Sequence, residues 1–265
     1  MLTSRSNLGV VPALLLAYPV LCPGPGNQDT DPPAAWLAED PPAERTVFAP
    51  YVISHPDLYE YGCWTSADGR EAIFGVELGH RSDIRRSLFE DGSWTEPEIL
   101  LEHEVYRFHD PCLSADGARL YFVSDRPIDG VGPPKDSDLW YAERQGDGWS
   151  EPIRLPDTVN SPANDYYTSL TDEGHLYFAR NVATTEGEDS NYDLFRARFV
   201  DGEFEPAEPL PGAVNTGAYE ADPFVAPDES WLIVCSTRRS GQGRGDLYLS
   251  VRDEDGNWSA VESVV

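Results

Sequence analysis

One pattern recurs four times along the chain: an acidic or aromatic lead-in, a Ser-Ala-Asp-Gly-like turn, an apolar strand, an Asp-Leu-aromatic strand, and an exit anchored by an aromatic residue. The exit aromatics Trp94, Trp149, Phe204 and Trp258 stand 55, 55 and 54 residues apart, and the strand-opening acids Asp83, Asp138, Asp193 and Asp246 stand 55, 55 and 53 apart. The turns Ser66-Ala67-Asp68-Gly69, Ser114-Ala115-Asp116-Gly117, Thr171-Asp172-Glu173-Gly174 and Ala226-Pro227-Asp228-Glu229 keep the same order with looser spacing. A repeat of this length is one supersecondary unit copied side by side.

The unit is clearest over residues 106–157. Asp110 to Leu113 leads into the turn at Asp116-Gly117, Arg119 to Ser124 and Asp138 to Glu143 read as strands, and Trp149 to Leu155 closes the unit. Gly and Asp at the turns supply the backbone angles of tight hairpins. Four short antiparallel strands make a twisted blade with two apolar faces, stable only against neighbours, and radial stacking of blades gives an all-β propeller. A sandwich does not require a fixed period near 55, and that period is too long for one coil of a β-helix. Four blades are legible. The segment Val47 to Ser54 reads as an N-terminal strand clasping the last blade, or as the remnant of a fifth.

The stretches Leu210-Pro211-Gly212-Ala213-Val214-Asn215-Thr216, Glu220 to Asp228, Ser236-Thr237-Arg238 and Gly243 to Tyr248 resemble the TolB-like (WD40-like) β-propeller repeat family of bacterial envelope proteins. Leu120 to Arg126 and Ser137 to Trp140 carry the same pattern in the second repeat. The resemblance spans residues 50–265, departs at Ala72 to Gly75, and lacks Ser-Asp-Arg at Phe178-Ala179-Arg180. It implies a blade motif and, for partners, another envelope protein or a peptide docking at the channel mouth.

Arg5 followed by the apolar run Leu8 to Leu21, broken by Pro12 and Pro19, has the plan of a secretory signal over residues 1–22, too short for a membrane span. Cys22 directly after the run raises lipid anchoring, although Leu21 is larger than the small residue usual before a lipidated cysteine. Residues 23–45 are rich in Pro, Ala, Asp and Glu and read as a tether, leaving 46–265 as the propeller. The expected setting is the periplasm or the outer membrane surface, with any membrane contact made through Cys22. A formal net charge of −28 repels nucleic acid and anionic lipid head groups.

Propellers bind ligands where the innermost strands begin. The positions six residues before the turns hold Glu60, Phe108, Asp165 and Glu220, and those four before hold Gly62, Asp110, Tyr167 and Asp222. Equal parity on a strand puts both sets on one face. Glu60, Asp110, Asp165, Glu220 and Asp222 are therefore the candidate binding rim. Such acids suit a basic partner segment, a Ca²⁺ ion or the carboxylate pair of a glycosidase, and equally a solvated or backbone-bonded scaffold role. The leading expectation is a non-catalytic interaction or ligand-binding module with no cofactor; a carbohydrate-active enzyme and a Ca²⁺-stabilised structural propeller are the alternatives.

The once-per-blade acids Asp83, Asp138, Asp193 and Asp246 read as scaffold, capping turns, and the exit aromatics as packing between blades. His109 and Asp110, adjacent on a strand, are expected to point to opposite faces. Cys63 and Cys112 lie at similar places in neighbouring repeats, where a disulfide is conceivable. No Ser, His and Asp set marks a nucleophile, and no metal-ligand spacing links the cysteines.

Overall fold

The computed structural model describes residues 46–146, 148–183, 191–238, 241 and 245–264. The leader 1–22, Cys22, the tether 23–45 and Gly243 lie outside the described residues.

The described residues form four antiparallel sheets in chain order, a four-bladed β-propeller. Each blade runs from an innermost strand (Tyr59–Thr65, Phe108–Leu113, Asp165–Leu170, Glu220–Val225) through Glu71–Leu78, Arg119–Ser124, Leu176–Asn181 or Trp231–Ser236 to Arg81–Glu90, Asp138–Gln145, Tyr192–Ala197 or Asp246–Val251. A short outermost strand follows in each: Glu98–Leu101, Ile153–Arg154, Glu208–Pro209 and Glu262–Ser263.

The middle strands are almost continuously apolar because both of their faces are covered. Leu120 and Phe122 join Ile73, Ile84 and Trp140 at the junction of blades one and two, while Tyr121 and Val123, one residue out of phase, join Leu176, Phe178 and Phe195 at the next. Tyr177 and Ala179 repeat this against Leu232, Val234 and Tyr248 between blades three and four. The exit aromatics pack as expected: Trp149, Phe204 and Trp258 belong to these three clusters in turn.

The outward face of blade one is covered differently. Ala72, Phe74 and Val76 are buried under Phe48, Ala49, Val52 and Ile53, with Trp94 against Phe48. Residues 47–54 are therefore a strap on the first blade and not a strand clasping the last. Three amide groups, of Val52, Ile53 and Ser54, all donate to the Ala49 carbonyl, which coils the segment too tightly to join a ladder. Blade four carries no such cover among the described residues, and Phe224 and Val251 on it are exposed.

Two of the acid-opened strands are pinned as scaffold by arginine. Asp138 receives both Nε and Nη2 of Arg154, at 2.6 and 3.1 Å, and Asp83 receives Arg81 at 2.7 Å. Asn160 and Asn215 peg successive blades by one set of bonds: Asn160 accepts from the Leu139 amide and donates to the Leu139 and Leu155 carbonyls, and Asn215 does the same with Leu194 and Leu210.

Candidate functional site

Every innermost strand breaks register at the same place, between Tyr61 and Trp64, His109 and Cys112, Tyr166 and Ser169, and Ala221 and Phe224. The residue that opens each bulge is left-handed: Gly62 at φ 57°, Asp110 at 49°, Tyr167 at 60° and Asp222 at 51°. Bulges re-aim side chains, and a left-handed backbone is uncommon outside Gly, Asn and Asp. The equal-parity expectation therefore fails, because the strand turns between the two predicted positions and their side chains part company.

The acids six residues before the turns face their own blades. Asp165 is fully buried, pairs with Arg180 at 2.6 Å, and accepts from the Ser161 amide and hydroxyl. Glu220, also fully buried, pairs with Arg238 at 3.2 Å and accepts from Thr216 and Ser236. Glu60 is half-buried and accepts from the His55 amide at 3.0 Å.

Asp110 and Asp222 instead sit at the bulges themselves, and the charge of Asp110 reaches Asp222. Burial first, and Asp110 second, push the Asp222 carboxyl up to about 7, opposed by a hydrogen bond from Tyr166. The Tyr166 hydroxyl also bonds that of Tyr219, and the Tyr192 ring packs edge-on against both, at 4.7 and 5.4 Å. Tyr167 stands within the field of both acids, and burial together with those charges holds its phenol well above the usual range. Asp222 and Tyr167 keep slight solvent exposure on the innermost strands, where a propeller's channel would run.

Opposite, the His109 Nδ1 lies 2.9 Å from Asp110 Oδ2, with the Tyr61 ring 5.8 Å from the imidazole. This corrects the expectation that His109 and Asp110 point apart, since strand alternation does not survive φ 49° at Asp110. Cys63 and Cys112 are free thiols, not a disulfide, and burial pushes each up to about 12, so neither supplies a thiolate nucleophile near neutrality. Among the described residues no group of three or more His, Cys, Asp or Glu side chains gathers as a metal centre would.

The channel acids stand apart from the other buried acids. Asp83, Asp110, Asp125, Asp138, Asp165, Glu220 and Glu229 are the buried acids of the described residues, and all but Asp110 hold an arginine within 3.2 Å. Asp110 has only His109, and Asp222 makes no ion pair among the described residues. Tyr167 stood among the counted positions, whereas Tyr61 and Tyr166 did not, although the position five before each turn holds Tyr61, His109, Tyr166 and Ala221, three rings in four.

Asp222 carries a pH signature. Its folded pKa lies above the unfolded value, so ionising it opposes folding; this penalty is absent below the unfolded pKa of 3.8 and grows until about pH 7. Asp222→Asn is expected to stabilise the fold at pH 8 by on the order of 2 kcal/mol and to have little effect at pH 3.5. Urea melts at both pH values check this, and an equal effect at the two would refute it.

No family model and no curated protein matches the sequence. Solved structures do match. A protein of unknown function from Dyadobacter fermentans is 15% identical with a TM-score of 0.53, over 80% of this chain and 71% of its own. A glycoside hydrolase is 11% identical with a TM-score of 0.52, over 80% and 76%. A puromycin-hydrolysing peptidase of Mycobacterium tuberculosis is 15% identical with a TM-score of 0.46, matched over 78% of this chain and only 29% of its own. What the first two share with the chain is the fold.

Proposed function

We propose that this chain is a binding module whose channel mouth receives a cationic group, such as a Lys or Arg side chain of a peptide or partner protein. The observation that carries this is the pair Asp110 and Asp222, at equivalent bulges of two innermost strands and without the arginine held by Asp83, Asp125, Asp138, Asp165, Glu220 and Glu229. A buried carboxylate without a cation is costly, and an incoming ammonium or guanidinium relieves that cost while the tyrosine rings contact it. The −28 net charge draws cationic partners from a distance. The TolB-like resemblance and the leader-like N-terminus favour an exported setting in the bacterial envelope, with an envelope protein or peptide as partner.

Binding a cation ionises Asp222, so affinity rises with pH up to about 7 and then levels. Calorimetric titration with a short Lys- and Arg-containing peptide is expected to show binding roughly tenfold tighter at pH 8 than at pH 5.5, and lost in the Asp110→Asn plus Asp222→Asn variant. Equal binding by wild type and double variant would remove the channel acids from the reading.

A second reading is favoured by the raised Asp222 carboxyl beside Asp110, an acid and carboxylate pair of the kind glycosidases use. One structural neighbour is a glycoside hydrolase, at a likeness that carries only the fold. Hydrolysis of aryl glycosides with a bell-shaped pH profile, abolished in Asp222→Asn, would move the site from binder to enzyme.

A further inference from the structure

At the outer edge of the junction between blades two and three lies an open cleft of about 390 Å³, whose walls include Arg119, Tyr141, Pro156, Phe199 and Phe204, with the exposed Glu203 at its rim. Its meaning comes from the same place one junction further on. There Glu229 fills the space, accepting from the Tyr177 hydroxyl at 2.7 Å and pairing with Arg196 at 2.7 Å and with Arg252.

The two places correspond residue by residue. Tyr177 pairs across its sheet with Arg196 as Tyr121 pairs with Tyr141, and the bridge between Arg252 and Trp258 answers to the pairing of Phe199 with Phe204. Glu229 answers to Gly174. Each closes its turn through its amide, to the Ala226 and Thr171 carbonyls respectively, and each is left-handed, at φ 61° and 83°. Between blades two and three, then, the built-in carboxylate is missing, and rings stand where the two arginines stood.

One cation remains. Arg119 enters from the strand Arg119–Ser124, its Cζ 5.1 Å over the Tyr141 ring and 6.0 Å over that of Phe199, with a hydrogen bond to Tyr121. Its one ion pair among the described residues is a loose contact of 3.5 Å to Glu143, itself half-exposed. A guanidinium set over rings presents a planar fork of five donors, of which those not taken by Tyr121 and Glu143 can meet a planar anion.

We propose that this cleft binds a small carboxylate on a flat apolar body, an aromatic carboxylic acid, with Arg119 as charge partner and Tyr141, Phe199 and Phe204 as walls. The volume lies at the lower end for small-molecule sites and suits one or two fused rings. Salt screens the protein's negative charges that lie further than about 8 Å away at physiological ionic strength, so the acids that oppose an anion are the neighbouring Glu143 and Glu203, both exposed to solvent.

The probes are phenylacetate and indole-3-acetate, with phenylacetamide as the neutral counterpart, in calorimetry and ligand-observed NMR at about 0.15 M salt. Both acids are expected to bind saturably and phenylacetamide roughly tenfold more weakly, a difference set by the charge-assisted bond. Arg119→Gln is expected to remove that difference and Arg119→Lys to keep part of it, whereas the Asp110→Asn plus Asp222→Asn variant binds like wild type. Equal affinity for acid and amide on the wild-type protein overturns the proposal whatever the variants do. So does undiminished binding by a folded Arg119→Gln protein, or no saturable binding of either acid.

Discussion

Glu229→Ala is expected to lower stability by about 3–5 kcal/mol, the usual result of breaking a buried ion pair from one side. Glu229 is 8% exposed and serves three partners, so its loss leaves two guanidinium groups, of Arg196 and Arg252, facing one another beside an unsatisfied Tyr177 hydroxyl. The backbone sharpens the test. Glu229 sits at φ 61°, where the other three turns carry Gly69, Gly117 and Gly174 at 69°, 67° and 83°. Alanine keeps that strain and supplies nothing in return, whereas glycine releases it. Glu229→Gly should therefore be less damaging than Glu229→Ala by about 1 kcal/mol, although it removes more atoms. Urea melts and a fall in melting temperature on the order of 10 °C for the alanine variant provide the check. An alanine variant within 1 kcal/mol of wild type, or a glycine variant worse than it, contradicts the account.

The second large effect is expected at Gly62→Ala. A β-carbon there would stand 2.5 Å from Asp110 Oδ1 and 2.8 Å from Asp110 Cα, on a backbone at φ 57°. The obstacle is main chain, and Asp110 is itself held, its carbonyl accepting from the Thr168 hydroxyl of blade three at 3.0 Å. Relief therefore requires separating blades, for an expected loss of about 3 kcal/mol or more. Gly79→Ala is the internal control, with φ 79° and nothing within 4 Å of its added carbon, so only the conformational cost of about 1 kcal/mol applies. If the two variants melt alike, crowding at the channel is not what selects Gly62.

The blades were legible in the sequence because each landmark reports a local requirement. A strand such as Arg119–Ser124 shows by its apolar run that both faces are covered, and glycine or aspartate marks the hairpins. The channel was legible only in part. Counting back from the turns located Asp110 and Asp222, but parity assumed an unbroken strand, and a bulge is a property of two paired strands that one of them alone does not display. The arginines that neutralise Asp165 and Glu220 lie 15 and 18 residues downstream and meet them only through cross-strand register. The destination of residues 47–54 was misjudged for a related reason, since their apolar content says that they cover something and not which blade.

The left-handed bulge at the head of each innermost strand separates what a blade needs from what a site needs. The ladder resumes beyond it in all four copies, while the bulge position carries glycine, aspartate, tyrosine and aspartate. The repeat thus contains one socket per blade in which side-chain identity can vary without rewriting the strand. A descendant or a designer could retune the channel socket by socket, with backbone strain of about 1 kcal/mol per non-glycine occupant and room beside Asp110 as the only entry conditions.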